Sequence, residues 1–422
     1  MTSPGTEKIA QVQAMIHYYG FLVIALSMPL PFYPINNIGI IIIGVNVIAG
    51  MILQKRFTSK NSPWLWALPT LFILYVIGVS YSDNTSAAWS SVERKLPLLL
   101  LPVAAMFFPA FDRKQLENIF KAFLAACVLI SMFAVFTMLK RNIDQGVAFE
   151  FYNNYYFSQD NLVAGVNFHH VYFSMYMSFC VVICLYFISS SSKVATTIIY
   201  GVTIIWSALF MLLLSGRMGI ITLTIVLALY FLFMLRMKWS VKILASISAI
   251  ILIVVVGYQF PFIRDKFTGV LNINVDQYSY QHRASARMVP IVLTWNIFKE
   301  NWVAGVGSGD LYDLLISEYH RINFEEGIIH EYNPHDQYID TAASVGIGGL
   351  LVLLGSMLSL YYYAIRSRDF LAIAFAVIVS FSFLTESMLS RQRGVVFLAT
   401  FISVIFAHRA GTRDAILKFQ SK

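Results

Sequence analysis

Apolar residues in this chain gather into long runs separated by short polar stretches. Runs near the roughly 20 residues that cross a bilayer lie at about 16–33, 36–53, 63–81, 96–111, 118–139 and 171–189. Six more lie at about 194–214, 219–236, 240–259, 344–365, 369–386 and 393–409. The fourth run is short and flanked by prolines. The pattern predicts an all-α, polytopic integral membrane protein of about twelve transmembrane helices. It forms one transmembrane domain over 1–422, with a long outer loop at about 260–343 that carries short helices between the ninth and tenth spans.

Composition agrees: 58% hydrophobic residues, 12% charged residues and a mean hydropathy of +0.69 exclude a soluble protein of this size. The net charge of +8 does not indicate nucleic acid, because the basic residues sit in short clusters between apolar runs, as membrane topology requires. With the N-terminus cytoplasmic, 17 of the 30 basic residues fall inside and 13 outside; six of the latter lie in the long loop, leaving 17 against 7. Both termini are therefore expected inside. Cys127, Cys180 and Cys184 fall within apolar runs without paired spacing, so they read as core residues. The N-terminal segment lacks a signal-peptide pattern, and the first run is expected to remain as a span.

Two outer segments exceed simple turns. The first, about 140–170, contains FEFYNNYYFSQDNLVAGVNFHH, whose aromatic and amide side chains suit sugar or membrane-interface contacts; His170 at its end is a substrate-binding candidate. The second, about 260–343, carries HRASAR, an amphipathic VPIVLTWNIFKENW and the glycine-rich GVGSGD. Asp310 is expected to cap a helix over DLYDLLISEYH. In NPHDQYIDTAASVGIGG, Asn333 suits an N-cap, Pro334 the first helical position and Asp336 the position three after the cap. That reading puts His335 in the first turn, where the helix dipole favours a neutral imidazole and free N–H groups attract anions.

Arginines are retained on the side that the charge rule disfavours: Arg94, Arg217 in SGRMG, Arg283, Arg287, Arg391 and Arg393. A lone interfacial arginine is ordinarily a snorkelling side chain, which is the plain reading of Arg94 and Arg393. Arg217 interrupts a tight connection with no acid in its turn. A cationic pocket at the outer surface suits a lipid-linked diphosphate, because guanidinium groups bind phosphate oxygens bidentately. No nucleotide motif and no metal-binding motif accompanies it, so neither cofactor nor metal is expected.

The order SGR at Arg217, Arg287 followed eighteen residues later by the glycine of GVG, and His335 ahead of GIGG resembles the O-antigen ligase and polymerase superfamily. It differs in having Ile291 four residues after the loop arginine, where the family often has tryptophan, and Asp336 after the histidine, where the usual residue is asparagine. The resemblance implies a GT-C-like glycosyltransferase in the bacterial inner membrane, facing the periplasm and using neither metal nor nucleotide. It would transfer a glycan from an undecaprenyl-diphosphate-linked donor to a lipid A-core acceptor. By position, Arg217 and Arg287 would bind the diphosphate and His335 would be the essential histidine. Arg283, Arg94, His170, Arg391, Asp336 and Glu386 join as substrate-binding candidates. Asp336 and Glu331 are alternative bases, and Glu386 is placed to pair with Arg391. A glycan polymerase or protein O-oligosaccharyltransferase would share this plan. A lipid-linked glycan transporter is the alternative of another class, and it would need ionisable residues spread through mid-span.

Overall fold

The computed structural model describes residues 4–31, 33–54, 63–146, 157–214, 217–233, 238–258 and 285–420. Every extended element of regular structure among them is helical. The helices are α1 (Pro4–Ser27), α2 (Tyr33–Gln54), α3 (Ala67–Val79), α4 (Thr85–Lys95), α5 (Pro97–Phe107) and α6 (Arg113–Asp144). The middle of the chain forms α7 (Gln159–Val163), α8 (His170–Ser190), α9 (Val194–Leu214), α10 (Arg217–Phe233) and α11 (Trp239–Tyr258). The long outer loop supplies α12 (Ser285–Glu300), α13 (Leu311–Arg321) and α14 (Glu325–His330), before α15 (Gln337–Arg366), α16 (Phe370–Phe383) and α17 (Gln392–Gln420).

Each of the twelve apolar runs falls on a helix. Six helices (α1, α2, α6, α8, α9 and α15) are long and apolar enough to cross a membrane, and shorter apolar helices lie at Ala67–Val79, Gly219–Leu232, Phe370–Phe383 and Gln392–Phe406. The fourth run is different: its helix, α5, has 11 residues, about 16 Å of rise, which is half a hydrocarbon core. The protein is an all-helical polytopic membrane protein. Its lipid-facing character is written on α2, where Ile38, Ile41, Val45, Ile48 and Ile52 recur every three to four residues and are all more than half exposed. An apolar stripe of that length is tolerable only against lipid.

The core lies where α6, α8, α16 and α17 meet. Phe123, Tyr176, Phe179, Phe375, Phe397 and Phe401 are fully buried there and stack or meet edge to face at 4.6–6.2 Å. Quadrupolar rings prefer such offset geometries, and each ring also removes a large apolar area from its surroundings. Buried along most of its length, α8 is the axis of the bundle.

The long outer loop is tied down by backbone chemistry. Helix α15 breaks at Val345–Gly346, where Gly346 has φ +73°. The carbonyls of Ala343 and Ser344 accept from Val306 N (2.8 Å) and Gly307 N (3.0 Å), and Ile347 N donates to Trp302 O (2.9 Å). The glycine-rich turn thus satisfies the groups that the break sets free. A side chain at position 346 would stand 2.1 Å from Val303 O, so the break needs glycine on both conformational and steric grounds.

Two sequence expectations are corrected in this region. Asp310 precedes α13 but makes no side-chain cap bond; its carboxylate accepts from Asp83 N (2.9 Å) and Asn84 N (2.8 Å), fastening the α3–α4 turn to the long loop. The helix expected to start at Asn333 starts at Gln337, with Asp336 as N-cap accepting from Ile339 N (2.9 Å). Asn333 turns its Oδ1 to His335 N instead (2.9 Å). This asparagine turn two residues along the chain competes with capping and wins here.

Candidate active site

Four outer segments, separated in sequence by up to about 300 residues, converge on one cavity of about 980 Å³. From α4 come Ser90, Ser91, Arg94 and Lys95; from the entry to α8, Asn167, His169 and Tyr172; from the loop before α15, Tyr312, Glu331 and His335; and from the α16–α17 link, Glu386, Arg391 and Arg393. Gln392 also donates from Nε2 to Asn37 Oδ1 at the start of α2. These are the segments that the charge pattern assigns to a single side. Their meeting at one end of the bundle is what that assignment requires.

His335 stands just before the α15 cap, not in the first turn, with φ +52°. Asn167 (φ +45°) and Glu331 (φ +48°), two more cavity residues, share the left-handed conformation. Such backbone costs of order 1–3 kcal/mol each and persists where the surroundings over-determine it, often at functional sites. His335 Nδ1 lies 3.5 Å from Glu386 Oε2, within ion-pair range but longer than a made hydrogen bond. Glu386 Oε1 accepts from Asn333 Nδ2 at 3.1 Å. Burial works to raise the Glu386 carboxyl, yet His335, His169 and Asn333 outweigh it and hold the group down at about 2. Glu386 is thus an ionised, nearly buried partner of the histidine, and the expected pairing with Arg391 is not the one made.

Two cations, Arg94 and Arg391, line the same cavity. Arg94 donates to Ser90 Oγ at 2.6 Å, and burial first, then the Arg391 charge, work against its protonated form. Among the described residues neither Arg94 nor Arg391 has a carboxylate within ion-pair distance. Two like charges with no ion-pair partner, in a cavity that Asp160, Asp313, Glu331, Asp340 and Glu386 also line, form the cationic part of a receptor for an anion. Arg393 is different: it is buried, its guanidinium lies 3.5 Å from the Phe168 ring centroid, and it donates to Asn167 O at 3.1 Å. It builds the wall and does not snorkel.

Below them, Lys95 is buried, donates to Ser91 Oγ at 2.8 Å and sits 4.2 Å over the Tyr75 ring. Burial, opposed by the Asp340 charge, lowers it to about 8. Asp340 itself accepts from Ser390 Oγ at 3.0 Å. Sequence reading missed Lys95 and Asp340 as a pair; the available signal was an aspartate one turn inside an apolar helix, where ionisable groups are rare. It also missed His169, whose protonation is disfavoured by burial and then by His170.

His170 is buried at the start of α8, with Nδ1 2.7 Å from Asp160 Oδ1, and it stands behind His169 without lining the cavity. Asp160, His169 and His170 bring one ligand atom each within 4.8 Å of one another and could hold a metal ion. Asp336 is committed to its cap and Glu331 lines the cavity, where Tyr312 OH donates to its carbonyl. Arg287, in the first turn of α12, is exposed and does not line the cavity. Arg217 opens α10 two residues before Gly219, which packs against Ser174 in the first two turns of α8. That puts its backbone at the cavity end; its side chain and all of Arg283 lie outside the described residues.

Fold and site together define an integral membrane protein with a polar, ionisable cavity at the common end of its helices. Residues 202–354, from α9 to the middle of α15, match the model of a family described as O-antigen ligase, which supports the O-antigen ligase and polymerase superfamily. The match supports ligase- or polymerase-like glycosyl transfer. No curated protein matches the chain.

Proposed function

We propose that the protein transfers a glycan from undecaprenyl diphosphate to a lipid A-core acceptor, at the periplasmic face of the bacterial inner membrane and without a metal. The observation that carries this reading is that one cavity holds both the His335–Glu386 pair and two arginines, Arg94 and Arg391, that have no ion-pair partner among the described residues. The pair suits removal of a proton from an acceptor hydroxyl, the arginines departure of an anionic leaving group.

In this mechanism the 3.5 Å gap between His335 Nδ1 and the ionised Glu386 Oε2 closes when substrate binds, and Nδ1–H then donates to the carboxylate. That fixes the tautomer and leaves Nε2 as the proton acceptor. The acceptor oxygen attacks the anomeric carbon and its proton passes to Nε2. The bond from that carbon to the diphosphate oxygen breaks with inversion, and undecaprenyl diphosphate leaves as the anion. Arg94 and Arg391 stabilise its charge within the cavity, and Arg217 and Arg287 act on the same diphosphate as the resemblance implies. The energy is that of the donor's own glycosyl–diphosphate bond.

The experiment is the cell-envelope glycolipid profile of a deletion strain. Loss of long glycan from lipid A-core, with the lipid-linked polymer accumulating, is the expected result. Single repeat units on the core would assign polymerase activity instead, and an unchanged profile would end the proposal.

A further inference from the structure

Helix α4 has two faces with different chemistry. Ala87, Ser90, Ser91, Arg94 and Lys95, at successive helical spacings, line the active cavity. Ser86, Trp89, Ser90 and Glu93, at the same spacing one step round, join Val92 and Leu96 to line a second hollow of about 600 Å³ against Phe72 and Val76 of α3. Ser90 belongs to both hollows and is the residue that Arg94 hydrogen-bonds. Trp89, 59% exposed, stands at the rim of the second hollow, next to the face of α3 that presents Ile73 and Ile77 outward. A short amphipathic helix with tryptophan on its apolar side is at home at the level of lipid headgroups.

We infer that the α3–α4 groove seats the polyprenyl chain of the lipid-linked donor and that α4 is the hinge point between tail and head. This rests on the transferase reading. An apolar groove beside lipid that shares Ser90 with the cavity of Arg94 and Arg391, neither of which has an ion-pair partner among the described residues, matches one molecule that is apolar over most of its length and dianionic at its end. Glu93, the groove's one acid, lies on the tail side of Ser90; it disfavours an anion there and favours placement of the diphosphate at Arg94. A phospholipid has a similar division of polarity, but its short chains and small head would leave the arginine cavity without its ligand. The groove is the specificity element for chain length.

The test uses the full-length protein in lipid nanodiscs and two donors bearing the same glycan on diphosphate, one with an undecaprenyl chain and one with a two-isoprene chain. Trp89→Ala is expected to raise KM for the long-chain donor at least tenfold, with kcat within twofold and the short-chain KM unchanged. Trp89→Phe should restore most of the loss. Ile199→Ala, on the lipid-facing side of α9, should alter neither donor. Equal effects of Trp89→Ala on both donors, or no effect on either, would overturn the assignment. If the wild type transfers from neither donor, the transferase reading fails on its own. The groove is then judged by photo-crosslinking from Trp89→p-benzoylphenylalanine: labelling of undecaprenyl diphosphate that excess phosphatidylglycerol does not compete away supports the seat, and indiscriminate labelling of both lipids overturns it.

Discussion

At the residue scale, two charges decide how the cavity works. Glu386, held ionised at about 2, orients His335, so Glu386→Gln should leave insertion and donor binding intact while transfer falls by roughly ten- to a hundredfold. Unchanged transfer in that variant would reduce the pair to a packing contact. Lys95 gives a pH dependence of stability with a definite sign. Its folded value, lowered to about 8, lies below the ordinary value of about 10.4. Between the two, the unfolded chain carries a proton that the folded one has released, so stability rises with pH across that window; below about 8 the full cost of burying the ammonium is present. The thermal midpoint in detergent should climb between pH 7.5 and 9.5 for the wild type and stay flatter in Lys95→Met. Parallel curves would mean that Lys95 keeps its charge throughout by way of Asp340.

At the element scale, the break in α15 governs the shape of the cavity, because it lets the first two turns, which carry Asp340 and follow His335, run apart from the membrane-crossing part. GIGG falls inside the tenth apolar run in the sequence, and its first glycine proves to be a break bridged by the GVG turn. Gly346→Ala must place a methyl group against Val303 O and adopt a left-handed backbone. It is expected to lower folded yield sharply in size-exclusion profiles, whereas Gly348→Ala, with open space at its Cβ, should behave as wild type. Similar profiles would show that the turn does not fix the break.

The same contrast explains what was legible. Apolar runs specify helices because burial or lipid contact acts on each segment by itself, so all twelve could be read from local pattern. Capping could not: Asn333 and Asp336 are both good caps, and only the turn that Asn333 makes with His335 selects between them. Pairing across the cavity was less legible still, since Glu386 is five residues from Arg391 in sequence but turns to Asn333 and His335 more than fifty residues away.

At the scale of the whole molecule, orientation and chemistry are linked, because every segment that lines the cavity must face the compartment where donor and acceptor meet. Reporter fusions at Lys60 and Lys238 should read cytoplasmic, and fusions at Asp276 and Glu325 periplasmic. A cytoplasmic reading for Glu325 would put the cavity on the wrong side of the membrane for the proposed donor. The most direct measurement is transfer from undecaprenyl-diphosphate-linked glycan to lipid A-core in purified membranes by wild type and His335→Ala, with donor binding measured in parallel. The expected result is normal insertion, retained donor binding and transfer reduced by about 10²–10⁴. Transfer at the wild-type rate by His335→Ala would contradict the assignment of His335 as the proton acceptor and, with it, the reading of the cavity as built around that histidine.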